Sequence, residues 1–251
     1  MTTVAPARSA HVAVRATAPS LPTLVGIEIR KTLSTRSGKA VALVSAAGAP
    51  VAVGLMSMGG EPLDAVVGPV GALGLMAALL LLALGVLSTA GEWSHRTVQT
   101  TFLLVPQRGR VLAAKAGAMA LLGAFIAAVA VAASIAVLAV APIGDPTWEG
   151  VPWAIGASVA AGAAFALIGA GVGAAAGNTP AALTGLYLTM LGAMPALRMV
   201  QPEIASKVDP VDATLALAYG HGGATPALVL AGWVALSLAA GAVLTRRRAV
   251  S

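Results

Sequence analysis

Hydrophobic residues fill five long stretches of the sequence that contain no ionisable side chain, and shorter polar segments separate them. A charged side chain at the centre of a bilayer costs about 2.5 to 3.5 kcal/mol on insertion scales, so these stretches are candidate membrane spans. The fourth stretch, residues 150–197, is long enough for two helices, and Gly177-Asn178-Thr179-Pro180 within it is typical of a tight turn. About 20 helical residues cross a hydrocarbon core of about 30 Å. The pattern therefore predicts an all-α polytopic membrane protein with six transmembrane helices, near residues 40–58, 66–88, 115–140, 152–176, 181–197 and 226–245.

The composition agrees with a membrane location. Of 251 residues, 58% are hydrophobic and only 10% are charged, whereas charged residues approach a quarter of an ordinary soluble domain. Mean hydropathy is +0.91. The chain has no cysteine, which excludes disulfides, thiolate nucleophiles and cysteine-ligated zinc.

Basic residues are distributed unevenly between the connecting segments. If the N-terminus is cytoplasmic, the inside segments hold 13 Lys and Arg with two acidic residues, and the outside segments hold two basic and seven acidic residues. The net charge of +6 then divides into +11 inside and −5 outside. Positively charged loops resist translocation, so we expect cytoplasmic N- and C-termini. Basic residues beside membrane spans favour contact with anionic lipid headgroups over nucleic-acid binding.

Two segments precede the first span. Residues 1–20 lack apolar periodicity and are predicted to form a disordered cytoplasmic arm, whereas residues 21–251 form one transmembrane domain. From Leu21, apolar residues recur every fourth position, through Val25, Ile29 and Leu33, which predicts an amphipathic helix along the inner leaflet; a plain juxtamembrane linker is the alternative. The charged residues on the other faces of this segment are Glu28, Arg30, Lys31 and Arg36.

The second inside connection, residues 89–110, is the most patterned of the polar segments. Ser88 or Thr89 is suited to cap a helix, Glu92 would lie in its first turn and Pro106 would end it. We expect a short cytoplasmic helix here. The outer connection, residues 196–225, is expected to form short helices at the other side.

Glycines recur every fourth residue in the fourth span, at Gly169, Gly173 and Gly177. This spacing lets another helix backbone approach closely, either within the chain or on a second copy. Packing within the chain is the favoured interpretation. The modest polar groups of the spans, candidates to line a passage, are Ser45, Ser134, Ser158, Thr184, Tyr187 and Thr189.

Several kinds of chemistry have no residues to support them. The sequence contains no GxxxxGK[ST] phosphate loop and no HExxH, and its three histidines are scattered. The span interiors hold no ionisable group of the kind that proton- or ion-coupled transporters use. His95 as a general base is the weaker alternative to a juxtamembrane polar residue. We therefore expect no catalytic residue, no metal site and no bound cofactor in this chain.

The chain resembles the permease subunits of type 2 ABC exporters, in particular small six-span members found in actinobacteria, over about residues 21–248. Its amphipathic segment looks like the elbow helix of that family, with Glu28, Arg30, Lys31 and Arg36. Gly171, Gly173 and the Asn178-Thr179 turn match the region between spans four and five. The residues that look like the family's coupling segment are Glu92, Trp93, Arg96, Thr97, Thr100, Thr101, Pro106, Arg108, Gly109, Arg110 and Lys115. The pattern departs from the family at Arg96, where many relatives have glycine, and at Gly177, where many have arginine.

The resemblance implies a permease subunit of a bacterial plasma (inner) membrane exporter that pairs with a second copy or a paralogue. Separate ABC ATPase subunits would bind and hydrolyse ATP with Mg²⁺, and residues 92–104 would sit in a groove on the ATPase. The uncharged spans suit an amphipathic or hydrophobic substrate such as a drug, metabolite or lipid. A non-transporting scaffold or sensor that docks a cytoplasmic partner through residues 89–110 is the main alternative, and an energy-independent channel is a third.

Overall fold

The structure is a computed structural model that describes residues 19–59, 62–94 and 107–248. Within this part of the chain it contains helices and one isolated β-bridge. Six helical segments are long and apolar enough to cross a membrane, so the predicted all-helical, multi-pass architecture is confirmed at that level. The helices are α1 (Leu21–Ser34), α2 (Arg36–Ser57), α3 (Val67–Ser94), α4 (Arg108–Val140), α5 (Val151–Ala176), α6 (Thr179–Leu188), α7 (Met194–Val200), α8 (Pro202–Val208), α9 (Pro210–Ala218) and α10 (Thr225–Arg247).

α5 is the central helix of the bundle and packs against α3, α4 and α10. Its glycines permit this packing. A Cβ added to Gly169 would lie 2.0 Å from the Leu82 carbonyl oxygen of α3, and one added to Gly171 would lie 2.4 Å from the backbone of Ser237 on α10. At Gly173 it would lie 2.3 Å from Thr89 Oγ1, whose hydroxyl donates to the Ala170 carbonyl 3.0 Å away. The glycine repeat thus joins helices of this same chain.

Gly177 lies at the end of α5, where a Cβ would approach the guanidinium of Arg248 instead of another helix backbone. It ends α5 with φ of +62°, a left-handed conformation that glycine adopts without steric cost. Asn178 then caps α6 by accepting from the Ala181 N–H at 2.9 Å, and Pro180 lies in the first turn. The predicted tight turn at Gly177-Asn178-Thr179-Pro180 is confirmed.

The outward faces of the helices are apolar. On α4, Leu121, Phe125 and Val129 are exposed at four-residue spacing, and Leu43 of α2 and Leu236 of α10 are exposed as well. In water such surfaces would be unfavourable, whereas lipid tails accept them. The exposed faces therefore agree with a location in a bilayer.

α1 is the predicted amphipathic helix, and Ser20 caps it. Its apolar stripe, however, faces protein: Val25, Ile29 and Leu33 pack against a core formed by α3, α4 and α5. Leu21, the first member of the stripe, is exposed. α1 thus packs on the bundle at the end where α3 finishes and α4 starts, which we call the basic end.

At the opposite end, two connections join each other through backbone hydrogen bonds. Leu63 N–H donates to the Ile143 carbonyl, and Val66 N–H and the Thr147 carbonyl form a second bond, each 3.0 Å long. Thr147 N–H donates in turn to the Asp64 carbonyl at 3.0 Å. These bonds fasten the α2–α3 connection to the α4–α5 connection.

The segment after α6 departs from a regular helix. Residues Thr189–Ala193 form a π-helical turn before α7 continues to Val200. The expected short helices of the outer connection are present as α8 and α9. Asp209 caps α9 and pairs with Arg198 at 2.7 Å, and Arg198 also lies 3.0 Å from Asp212.

Candidate functional site

Four charged side chains meet at the basic end and form what we call the ion cluster: Glu28 and Lys31 of α1, Glu92 of α3 and Lys115 of α4. Lys115 Nζ lies 2.6 Å from Glu28 Oε2 and 2.8 Å from Glu92 Oε1. Lys31 Nζ lies 3.1 Å from Glu28 Oε1 and also pairs with Glu92 Oε1. The formal charges balance, and three helices that are distant in sequence are joined by them.

The sequence around each member explains its position. Glu28 and Lys31 are three residues apart on α1, so they share one face of that helix. Glu92 lies in the last turn of α3, where the negative end of the helix dipole disfavours a carboxylate. The two ammonium groups offset this, and Lys115 additionally donates to the Ser88 carbonyl of α3 at 3.2 Å.

Burial makes the cluster energetically sensitive. The side chains of Lys115, Glu28 and Glu92 are at most 10% exposed, whereas that of Lys31 is 42% exposed. Desolvation lowers the pKa of Lys31, but its hydrogen bond to Glu92 and the charges of Glu92 and Glu28 outweigh that effect, so the pKa is raised above its ordinary value. Buried ion pairs are costly to break by removing one partner, since the other charge is then left uncompensated.

A second basic group, formed by Arg108 and Arg248 with Trp93, lies beside the ion cluster at the C-terminal end of α10. Arg108 donates from Nη1 to the carbonyls of Thr245 and Arg248, at 3.0 and 2.8 Å. Arg248 donates to the carbonyls of Ala174 and Ala175 at the end of α5. Its guanidinium carbon lies 5.2 Å from the ring centroid of Trp93, within range of a cation–π contact. These contacts fix the ends of α3, α4, α5 and α10 to one another.

The predicted site residues are therefore distributed over several environments. Trp93 and Arg108 belong to the second basic group, and Arg110 donates to the Pro19 carbonyl at 2.7 Å. Arg30 and Arg36 are exposed and make no ion pair among the described residues. The remaining predicted coupling residues lie outside the described residues: Arg96, Thr97, Thr100, Thr101 and Pro106.

The prediction that a helix begins at Ser88 or Thr89 is wrong. α3 continues without interruption to Ser94, so Glu92 ends a helix instead of starting one. The Thr89 hydroxyl donates to carbonyls of its own helix and of α5, a contact inside the bundle. The resemblance includes Lys115 in the coupling segment but assigns it no role. Lys115 is the only charged residue of α4 after its first turn, and this isolated position is the sequence signal of a buried partner.

A cavity of about 620 Å³ opens next to the ion cluster. It lies between the α1–α2 connection, the end of α3 and the start of α6. Ser94, the last described residue of α3, is at its edge and contacts Thr179 through the two hydroxyls, 3.3 Å apart. The other hydroxyl-bearing residues that line the cavity are Thr32, Ser34, Thr35, Ser37 and Ser88. The cavity thus lies where residues 95–106 leave α3.

Comparison with known proteins assigns neither a family nor a function to the chain. No protein-family model matches the chain, and no curated protein is significantly similar to it.

Proposed function

We propose that the chain is the permease subunit of an ATP-binding cassette exporter in a bacterial plasma membrane. Its substrate would be amphipathic or hydrophobic, and ATP and Mg²⁺ would be used by a separate ATPase subunit. One general support is the distribution of charge. Charged side chains of the six candidate spans lie within about two turns of a helix end among the described residues, so the middle of the bundle offers no ionisable relay for ion-coupled transport.

The observation that carries the proposal is the ion cluster. Residues 92–104, which would contact the ATPase, begin in the last turn of α3, and α4 starts shortly after them at Arg108. Glu92 lies in the last turn of α3 and Lys115 lies two turns into α4. On α1, Glu92 pairs with Lys31 and Lys115 pairs with Glu28, and Glu92 and Lys115 also pair with each other. A partner that displaces residues 92–104 would therefore move α1, α3 and α4 together. Such rigid-body motion is what coupling between an ATPase and a permease requires.

Three of the candidate lining hydroxyls already make hydrogen bonds within the bundle, which favours a passage outside it. Ser134 and Ser158 are buried and donate to carbonyls of their own helices, at 2.8 and 2.7 Å, and Tyr187 donates to the Leu79 carbonyl of α3 at 2.8 Å. These groups are occupied in helix packing. α2 and α6 are largely exposed, which leaves apolar surface for a second copy or a paralogue. In this proposal the substrate passes between the two permease copies.

The test is reconstitution of the protein with candidate ATPase subunits in vesicles. We expect a stable complex, ATP-dependent movement of an amphipathic dye, and an ATPase rate that responds to the permease. Replacing Glu92 with Gln should lower transport more than it lowers complex formation, since it loosens α1 from α3. Glu203→Gln, an exposed acidic residue of α8 at the opposite end, is the matched control and should leave both unchanged.

Two results would overturn the proposal. One is the absence of any ATPase partner in purified complexes. The other is a complex that forms and hydrolyses ATP but never moves a substrate, which would favour the scaffold or sensor alternative.

A further inference from the structure

A narrow crevice lies between α4 and α10 at the basic end, and α5 forms its floor. Its volume is about 220 Å³. Most of its lining is apolar, from Leu112 and Ala116 of α4, Ala170 of α5, and Leu238 and Ala242 of α10. Along α10 it extends from Leu238 to Arg246, about 12 Å at the helical rise. Ala113 on its rim is exposed, so the crevice reaches the outer surface of the bundle.

An arginine and a helix N-terminus lie together at the mouth of the crevice. Arg246 is exposed in the last turn of α10, and its Nη2 lies 3.6 Å from the point where a Cβ of Gly109 would be. Gly109 is the second residue of α4, so the guanidinium lies against the positive end of that helix dipole. The side chain of Gln107, the residue before α4, makes no capping hydrogen bond. Among the described residues, no carboxylate lies within ion-pair distance of Arg246.

Arg246, in the last turn of α10, and the first turn of α4 thus lie side by side at the mouth of the crevice. Both features, the guanidinium and the first N–H groups of a long helix, bind phosphate oxygens well. The apolar crevice below them fits part of an acyl chain. We propose that this crevice is a binding site for an anionic phospholipid, whose phosphate lies at Arg246 and Gly109 and whose acyl chain lies between α4 and α10. A basic pocket between spans is a known setting for such lipids.

This inference requires only that the chain lies in a membrane, and it does not depend on the proposed transport function. It can be tested by native mass spectrometry of the delipidated protein with added phosphatidylglycerol or phosphatidylethanolamine. We expect the wild type to retain phosphatidylglycerol preferentially. Arg246→Gln should weaken that binding about fivefold, the effect of one arginine near a lipid headgroup. Arg247→Gln is the matched control, because Arg247 is an adjacent exposed arginine that does not line the crevice.

A second pair of variants tests the apolar part of the site. Ala113→Leu should fill the rim and displace the lipid, whereas Ala132→Leu, at an exposed position further along α4, should not. Glycerol phosphate, which has the headgroup chemistry without an acyl chain, should fail to compete. The proposal is wrong if the two phospholipids bind equally well, if Arg247→Gln weakens binding as much as Arg246→Gln, or if glycerol phosphate displaces the lipid.

Discussion

The ammonium of Lys115 lies 2.6 Å from the carboxylate of Glu28, although 87 residues separate them in the chain. Because Lys115 also binds Glu92 at 2.8 Å, it joins α1, α3 and α4 at one point.

Replacing Lys115 with Met should destabilise the protein by about 3 to 5 kcal/mol, since two buried carboxylates would then lose the buried ammonium group that they share. The measurement is thermal unfolding in detergent. The double variant Glu28→Gln with Lys115→Met should recover part of the loss, because one uncompensated charge is removed. Equal destabilisation by single and double variants would contradict the coupling of these two residues.

Gly177→Ala should destabilise the turn between α5 and α6 by at least about 1 to 2 kcal/mol, the cost of a left-handed conformation for a residue with a Cβ. The new methyl group would also lie 2.3 Å from Arg248 Nη1, so the contact of Arg248 with the end of α5 should loosen. Gly185→Ala in α6 is the control, because nothing lies within 4 Å of its added Cβ. That substitution should be neutral or slightly stabilising. A similar unfolding midpoint for the two variants would refute the argument.

Gly169→Ala should separate α3 from α5, because its Cβ would lie 2.0 Å from the Leu82 carbonyl oxygen. Overpacking of this kind costs about 1 to 3 kcal/mol. Gly156→Ala on the same helix has open space around the added Cβ and provides the comparison. The measurement is the thermal unfolding midpoint of each purified variant. A midpoint for Gly169→Ala at or above that of Gly156→Ala would contradict close packing of α3 and α5 at Gly169.

The pH dependence of stability should carry the signature of Lys31. Because its pKa is raised in the folded protein, its contribution is present at neutral pH and falls as the pH rises above its ordinary value of 10.5. The difference in stability between wild type and Lys31→Met should therefore stay constant from pH 7 to about pH 10 and shrink above it. Lys39→Met, at an exposed lysine of α2, controls for general alkaline destabilisation. A difference that shrinks between pH 7 and 9 would be incompatible with this role.

The orientation predicted from charge can be tested directly, since the chain has no cysteine to interfere. Single cysteines at Glu203 and Arg247, both exposed, report on the two ends of the bundle. In intact cells, a membrane-impermeant maleimide should label Glu203→Cys, whereas Arg247→Cys should react only after the membrane is opened. The reverse pattern would place the termini outside.

The sequence was sufficient to predict the six long apolar helices, because uncharged apolar stretches of this length are typical of membrane-spanning helices. It was also sufficient for the turn at Gly177, where glycine, a capping asparagine and proline follow one another. The local sequence does not show where α3 ends, because Glu92 after Ser88 and Thr89 is also typical of the first turn of a new helix. That carboxylate remains in a helix because Lys31 and Lys115 neutralise it, and both come from other parts of the chain. The hydrogen bonds of Arg248 to the end of α5 likewise depend on tertiary packing.

Hydrogen bonds between the α2–α3 and α4–α5 connections fasten the opposite end of α3 and α4, while Lys115 fastens the basic end. Sliding one helix past the other would break bonds at one end or both. Tilting of the whole unit breaks neither set. α3 has 28 residues, so a tilt of about 5° pivoting at one end would move its other end by about 4 Å. A small rotation at the basic end would thus become a displacement of atomic dimensions at the far side of the bilayer.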